Sequence, residues 1–192
     1  MRKLIFKIEM TLDGFISGPK GEMDWGTATF GAEENWKRVF GMLSTVDTVL
    51  MSRVIYQLFK EFWPAAGVSP TSTKSEKEFS RWLDEVPKVV FSKTLESVDW
   101  TNSRLVKTDA GAEISLLKQQ PGKNLVMWGG SMFPQALMNL GLIDEYWINV
   151  HRVILGSGKP LFTDITNKIP LSLLSAETFE TGTVGLCYRP EK

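Results

Sequence analysis

The sequence predicts an α/β protein whose central sheet is mixed but mostly parallel, flanked by helices and closed by a C-terminal antiparallel hairpin. Short apolar runs suited to buried strands alternate with stretches of helical spacing, and the last two strand-like runs flank Thr181-Gly182-Thr183. No internal repeat, low-complexity tract or linker divides the 192 residues, so a single domain over 1–192 is expected.

From Lys3 to Met10 the residues alternate, with Leu4, Phe6, Ile8 and Met10 on one face and Lys3, Ile5, Lys7 and Glu9 on the other, a period-2 strand. Thr11-Leu12-Asp13-Gly14 breaks it. The glycine-rich stretch after it, GFISGPKGEMDWG, is expected to be a loop that either approaches a ligand or simply connects elements. Gly31 to Phe40 predicts a first helix, with Trp36, Val39, Phe40 and Leu43 at helical spacing and Glu33 and Glu34 in its first turn, where carboxylates also complement the helix dipole. Thr48 to Met51 is a short buried strand, Ser52-Arg53 its end, and Val54 to Phe59 begins another helix.

Thr73-Lys74-Ser75-Glu76 matches a capping box ahead of a helix with Phe79, Trp82 and Leu83. Lys88 to Phe91 is a strand ending at Ser92-Lys93, Arg104 to Val106 another, and Ala110 to Gln119 a helix stopped by Pro121-Gly122. Asn124 to Trp128 is a strand leading through Gly129-Gly130 into a helix near Ser131, with Pro134 in its first turn and Gly141 beyond its end. Glu145 to Leu155 reads as a long strand, and Leu171 to Phe179 with Val184 to Tyr188 as the hairpin.

Twenty-two basic and 22 acidic side chains cancel, so no global field draws the chain to nucleic acid or an anionic membrane. The single cysteine, Cys187, forms no intrachain disulfide, and no Cys/His spacing suits zinc. No apolar run approaches the ~20 residues of a membrane span, and MRKLIFKIEM is not a signal peptide, so a cytoplasmic protein is expected. There is no Gly-x-Ser-x-Gly elbow and no Cys/His pairing for a hydrolase. The only histidine, His151, lies in a strand-like run and reads as structural.

Three strand ends offer similar chemistry: Ser52-Arg53, Ser92-Lys93 and Gly129-Gly130-Ser131. Ligands of open α/β sheets bind beyond the carboxyl ends of strands, where these groups would converge. Arg53 offers a planar fork and Lys93 a point charge for phosphate, while the glycine pair is either a phosphate cradle beside a helix N-terminus or a tight turn.

This order of segments resembles the dihydrofolate reductase-like family, in the branch of the C-terminal reductase domain of bacterial riboflavin biosynthesis proteins. It rests on TLDGFISG, LMSRVIY, VVFSKTL, VMWGGSMFPQALMNLGLIDEYWI and HRVILGSGKPLF, spanning nearly the whole chain. The resemblance implies NADPH as cofactor, with Arg53, Ser92 and Lys93 around the adenosine 2'-phosphate, Gly129, Gly130, Ser131 and Met132 toward the pyrophosphate and nicotinamide, and Ser52 also among the cofactor-binding candidates. It also implies reduction of a C=N or C=O bond in a small heterocyclic substrate, as in the riboflavin-pathway pyrimidine reductase or dihydrofolate reductase. A homodimer is implied through Asp144 to Phe162, although Trp147, Ile148, Val150 and Val153 suit a buried strand equally.

Glu33, three residues before Trp36, matches the acidic position on the first helix of dihydrofolate reductases; with Glu34 and Asp13 it forms the candidate catalytic set. Phe15 and Trp25 are candidate substrate contacts. There are two departures from the family: Gly-Arg-x-Thr reads Ser52-Arg53-Val54-Ile55, and Phe15 stands where riboflavin-pathway reductases commonly place a basic residue. The substitutions at Ser52 and Ile55 motivate an alternative, a non-catalytic nucleotide-binding or regulatory module on the same fold.

Overall fold

A computed structural model describes residues 1–191, apart from the side chains of Thr27 and Ala28. Eight strands form one sheet, β1 (Leu4–Thr11), β3 (Val46–Ser52), β4 (Lys88–Phe91), β5 (Ser103–Val106), β6 (Asn124–Trp128), β7 (Glu145–His151), β9 (Leu171–Thr178) and β10 (Val184–Pro190), in the spatial order β5-β4-β3-β6-β1-β7-β10-β9. All pairings from β5 through to β7 are parallel; β10 runs antiparallel to both β7 and β9, which makes the expected closing hairpin.

Helices cover both faces, which explains why the central strands are apolar on both sides. Leu4, Phe6, Leu125 and Met127 pack with Ile114 and Leu117 of α5 (Ala110–Gln119) and with Leu137 and Met138 of α6 (Met132–Asn139). On the other face, Ile5, Val49, Met51 and Val126 pack with Trp36 and Val39 of α2 (Glu33–Leu43), Ile55 and Tyr56 of α3 (Arg53–Val68), and Phe79 and Leu83 of α4 (Lys74–Glu85). The capping box of α4 forms as expected: the Glu76 amide donates to Thr73 Oγ1 at 3.2 Å, and the Thr73 amide donates to Glu76 Oε2 at 2.7 Å.

The glycine-rich loop holds more structure than its sequence suggested. Phe15–Ser17 forms β2 and pairs with β8 (Lys159–Pro160), and a short helix α1 (Thr27–Phe30) follows. Two bounds also shift. The first helix begins at Glu33 rather than Gly31, and β7 stops at His151 because the Val153 amide turns back to donate to the His151 carbonyl at 2.8 Å. Ile148 is buried within the chain, the Arg38 guanidinium lies 4.6 Å over the part-buried Trp147 ring, and Val153 falls beyond the strand. No helix among the described residues is long and apolar enough to cross a membrane.

Lys88 shows how the fold treats a charge in its interior. At 1% exposure it lies over the Trp100 ring and donates to the Val86 carbonyl at 2.8 Å, capping the end of α4. Burial pushes its ammonium down to about 8 from the ordinary 10.5. Above pH 8 the folded chain gives up this proton while the unfolded chain keeps it, so stability rises with pH between 8 and 10.5 and is flat in this respect below 8. Urea unfolding should show a gain of about 2 kcal/mol from pH 8 to pH 10 in the wild type. That gain should vanish in Lys88→Met; an equal slope in both proteins would contradict the assignment.

Candidate functional site

At the carboxyl ends of β1, β3, β4 and β6 the sheet opens into a cavity of about 820 Å³. All eight residues expected at the cofactor line it: Ser52, Arg53, Ser92, Lys93, Gly129, Gly130, Ser131 and Met132. The parallel register explains the convergence. Met51 sits beside Val90 and Leu50 beside Met127, so β3, β4 and β6 end close together and release their following residues into one crevice.

Gly129 and Gly130 have φ of 56° and 77°, two successive left-handed residues that only glycine adopts without strain. The Gly129 amide donates to the Lys7 carbonyl at 3.2 Å, so the pair contributes room for close backbone approach. A Cβ on Gly129 would lie 3.0 Å from Ile55 Cδ1. The helix that follows has no side-chain cap at Ser131, leaving its first N–H groups available to an anion. Arg53 and Lys93 are exposed at the same rim; Arg53 contacts Gln57 only loosely, at 3.3 Å. This donor set suits a phosphorylated dinucleotide.

Much of the remaining lining is aromatic. Trp36, Phe59, Phe62, Trp63, Phe79 and Trp128 make it up, drawn from α2, α3, α4 and β6 and packed largely edge to face, with Trp63 and Phe79 centroids 4.6 Å apart. Ile16, Ser17 and Met23 complete the rim from the segment that was expected to be a loop.

The candidate carboxylates lie elsewhere. Glu33 and Glu34 border a separate hollow of about 330 Å³ with Lys37, Lys74 and Glu78. Glu33 accepts from Ser75 Oγ at 3.4 Å and Glu34 from the Glu180 amide at 2.8 Å. Helical phase is the reason: the inward face of α2 is Asn35, Trp36 and Val39, which leaves positions 33 and 34 turned aside. Asp13 ties two loops together, accepting from Thr11 Oγ1 at 2.6 Å and from the Leu155 and Gly156 amides at 3.1 and 2.7 Å. The Thr11 hydrogen bond and those two amides hold its carboxyl at about 2. Phe15 pairs with Pro160 in the small sheet, and Trp25 sits edge-on to Phe30 and His151; neither lines the cavity.

What lines the cavity floor instead are Lys7 and Glu9 of β1, with Asn35. Lys7 is fully buried and ion-paired to Glu9. Glu9 also accepts from Asn149 Nδ2 at 3.2 Å and from His151 Nε2 at 2.6 Å. Asn149 in turn accepts from Arg38 Nη1 at 2.8 Å and donates to Asn35 Oδ1 at 2.7 Å. Burial opposes the Glu9 carboxylate, but the Lys7 charge and the His151 hydrogen bond outweigh it and hold the carboxyl below its ordinary value. Burial pushes the Lys7 ammonium down against the pull of Glu9. The only sequence signal for these groups was the second face of β1, Lys3-Ile5-Lys7-Glu9, whose charges alternate with an apolar residue.

The fold is dihydrofolate reductase-like. The structure of Enterococcus faecalis dihydrofolate reductase complexed with NADP(H) superposes with a TM-score of 0.61 over 99% of this chain and 97% of that one, at 14% identity. A protein from Shewanella sp. PV-4, whose name provisionally places it in riboflavin biosynthesis, superposes with a TM-score of 0.76 over the whole of both chains at 21% identity. Within that class, residues 2–185 match the RibD C-terminal domain, and the chain belongs to this family. The uncharacterized protein YyaP of Bacillus subtilis (strain 168) is 32% identical over 187 residues, 97% of this chain and 94% of its own length.

Proposed function

We propose that the protein is an NADPH-dependent reductase of a small, flat heterocyclic substrate bearing a C=N or C=O bond. The observation that carries this is one cavity lined both by polar groups from three strand ends and by a cluster of aromatic side chains. When bound, the reduced nicotinamide supplies a hydride. The residues of the chain would do the rest. Arg53 and Lys93 would hold the 2'-phosphate, and the Gly129-Gly130 cradle with the first turn of α6 the pyrophosphate. The aromatic wall would orient a flat ring and exclude water.

Lys7, the buried cation of the cavity, is already paired to Glu9, while Lys159 lines the rim beside Ile16 and Ser17. Steady loss of NADPH absorbance at 340 nm is expected with a pterin or a flavin precursor. Binding of NADPH without turnover across pterins, flavin precursors and simple carbonyls would overturn the reductase reading.

One observation favours the second reading, a nucleotide-binding module without turnover. Ile55, standing where the family has a phosphate-binding threonine, places its side chain against Gly129 and Gly130. Ser52 meanwhile accepts from the Ile55 amide at 3.4 Å as the N-cap of α3. The turnover measurement separates the two readings.

A further inference from the structure

We propose that Glu9 is the residue of this cavity that touches the substrate, through one free acceptor position on Oε2, and that His151 is a positioning residue behind it. The proposal rests on the reductase reading only in supposing that the cavity receives a substrate at all.

An ionised carboxylate offers about four acceptor positions. On Glu9, Oε1 receives the Lys7 ammonium and Asn149 Nδ2, while Oε2 receives His151 Nε2–H. One position on Oε2 remains. The Glu9 side chain is 20% exposed, in contrast to 1% for Lys7 and 2% for His151, so within this cluster Glu9 is the group that opens into the cavity. Because Lys7 and His151 keep it ionised, it accepts a hydrogen bond and does not supply a proton. The ligand group that fits is therefore an N–H donor on a flat ring, an amino group or a protonated ring nitrogen.

His151 determines where that position points. Its Nε2 must carry hydrogen, because it faces an ionised oxygen. Its Nδ1 lies 2.6 Å from Thr29 Oγ1, and the rings of Trp25 and Phe30 stand edge-on at 5.4 and 5.0 Å. The imidazole is thus held on one side by the strand β1 carboxylate and on the other by the segment Asp24–Phe30 that covers it. Remove the ring, and Oε2 loses the hydrogen bond that fixes its orientation. The Glu9–His151 pairing follows from register, since Glu9 neighbours Asn149 and Thr11 neighbours His151 across β1 and β7.

The test uses 2,4-diaminopyrimidine, a flat ring with amino N–H groups, and pyrimidine, the same ring without them, on the protein free of cofactor. Tryptophan fluorescence should show the diamine binding at least tenfold more tightly than pyrimidine to the wild type, the effect of one charge-assisted hydrogen bond. Glu9→Gln should abolish that preference and His151→Gln should reduce it severalfold, with pyrimidine binding the same in all three proteins. Since His151 is the chain's one histidine, its imidazole nitrogens give unambiguous signals in a ¹⁵N-histidine spectrum. The Nε2 signal of the wild type should move on adding the diamine and stay put on adding pyrimidine. Equal affinity for the two rings in the wild type, an unchanged preference in Glu9→Gln, or an unmoved Nε2 signal would overturn the proposal. NADPH affinity, measured in parallel, reports on the cofactor end: its absence would defeat the reductase reading while leaving the Glu9 assignment to be judged on the diamine.

Discussion

Replacing Arg53 and Lys93 together by alanine is expected to weaken NADPH binding by up to about 100-fold while leaving NADH binding within about threefold of wild type. A hydrogen bond to a charged group contributes roughly 1.5–3 kcal/mol, and exposure at the rim puts each residue at the lower end. Each is then worth about tenfold, and about 100-fold is the two taken as independent, the upper bound for residues that share one phosphate. NADH lacks the 2'-phosphate, so it never gains these bonds and has little to lose. The single variants should each show about tenfold, with Arg53→Lys intermediate because the fork is gone and the charge remains. Fluorescence titration of both cofactors checks this; an equal loss for NADPH and NADH would remove the 2'-phosphate from these residues.

The second large effect concerns the cavity floor. Lys7→Met should cost about 3 kcal/mol of stability, because it leaves the part-buried Glu9 carboxylate without its cation, with only Asn149 and His151 as partners. For a chain of this size that corresponds to a fall in Tm of about 10 °C. The pH dependence carries the sign. In the wild type the Glu9 carboxyl lies below its ordinary value, so its contribution is present above the ordinary carboxylate range and is lost as pH falls through the lower folded value. Without Lys7 that folded value rises, and the acid limb of the stability curve should begin at higher pH. Thermal melts from pH 3 to pH 7 on both proteins decide it; coincident acid limbs would show that Lys7 does not hold Glu9 ionised.

These two predictions fall on opposite sides of what the sequence made legible. Arg53, Lys93 and Gly129-Gly130 could be found because each directly follows a run of apolar strand residues, and parallel strands of one sheet end together. Lys7 and Glu9 could not. Charges at alternate positions of a strand read as a solvated face, and only the strand's place between β6 and β7, under α2 on that side, turns them into a buried pair. Glu33 lies outside the cavity for a local reason: α2 turns Asn35 and Trp36 inward and leaves Glu33 beside Ser75.

His151 was a matter of partners rather than of position. A lone histidine inside a strand is structural by default, and nothing in the sequence near it shows that Glu9, 142 residues away, supplies its acceptor. The short β2–β8 pairing escaped notice for a related reason, since three residues and two residues give no periodicity to read. It nonetheless sets Ile16 and Ser17 on the cavity rim.

The central claim is that the crevice at the ends of β1, β3, β4 and β6 holds NADPH. Titrating the wild-type protein with NADPH and following tryptophan fluorescence tests it directly, because Trp36, Trp63 and Trp128 line the same cavity. Saturable quenching at micromolar NADPH, with weaker binding of NADH, is the expected result; no binding at near-millimolar NADPH would contradict it.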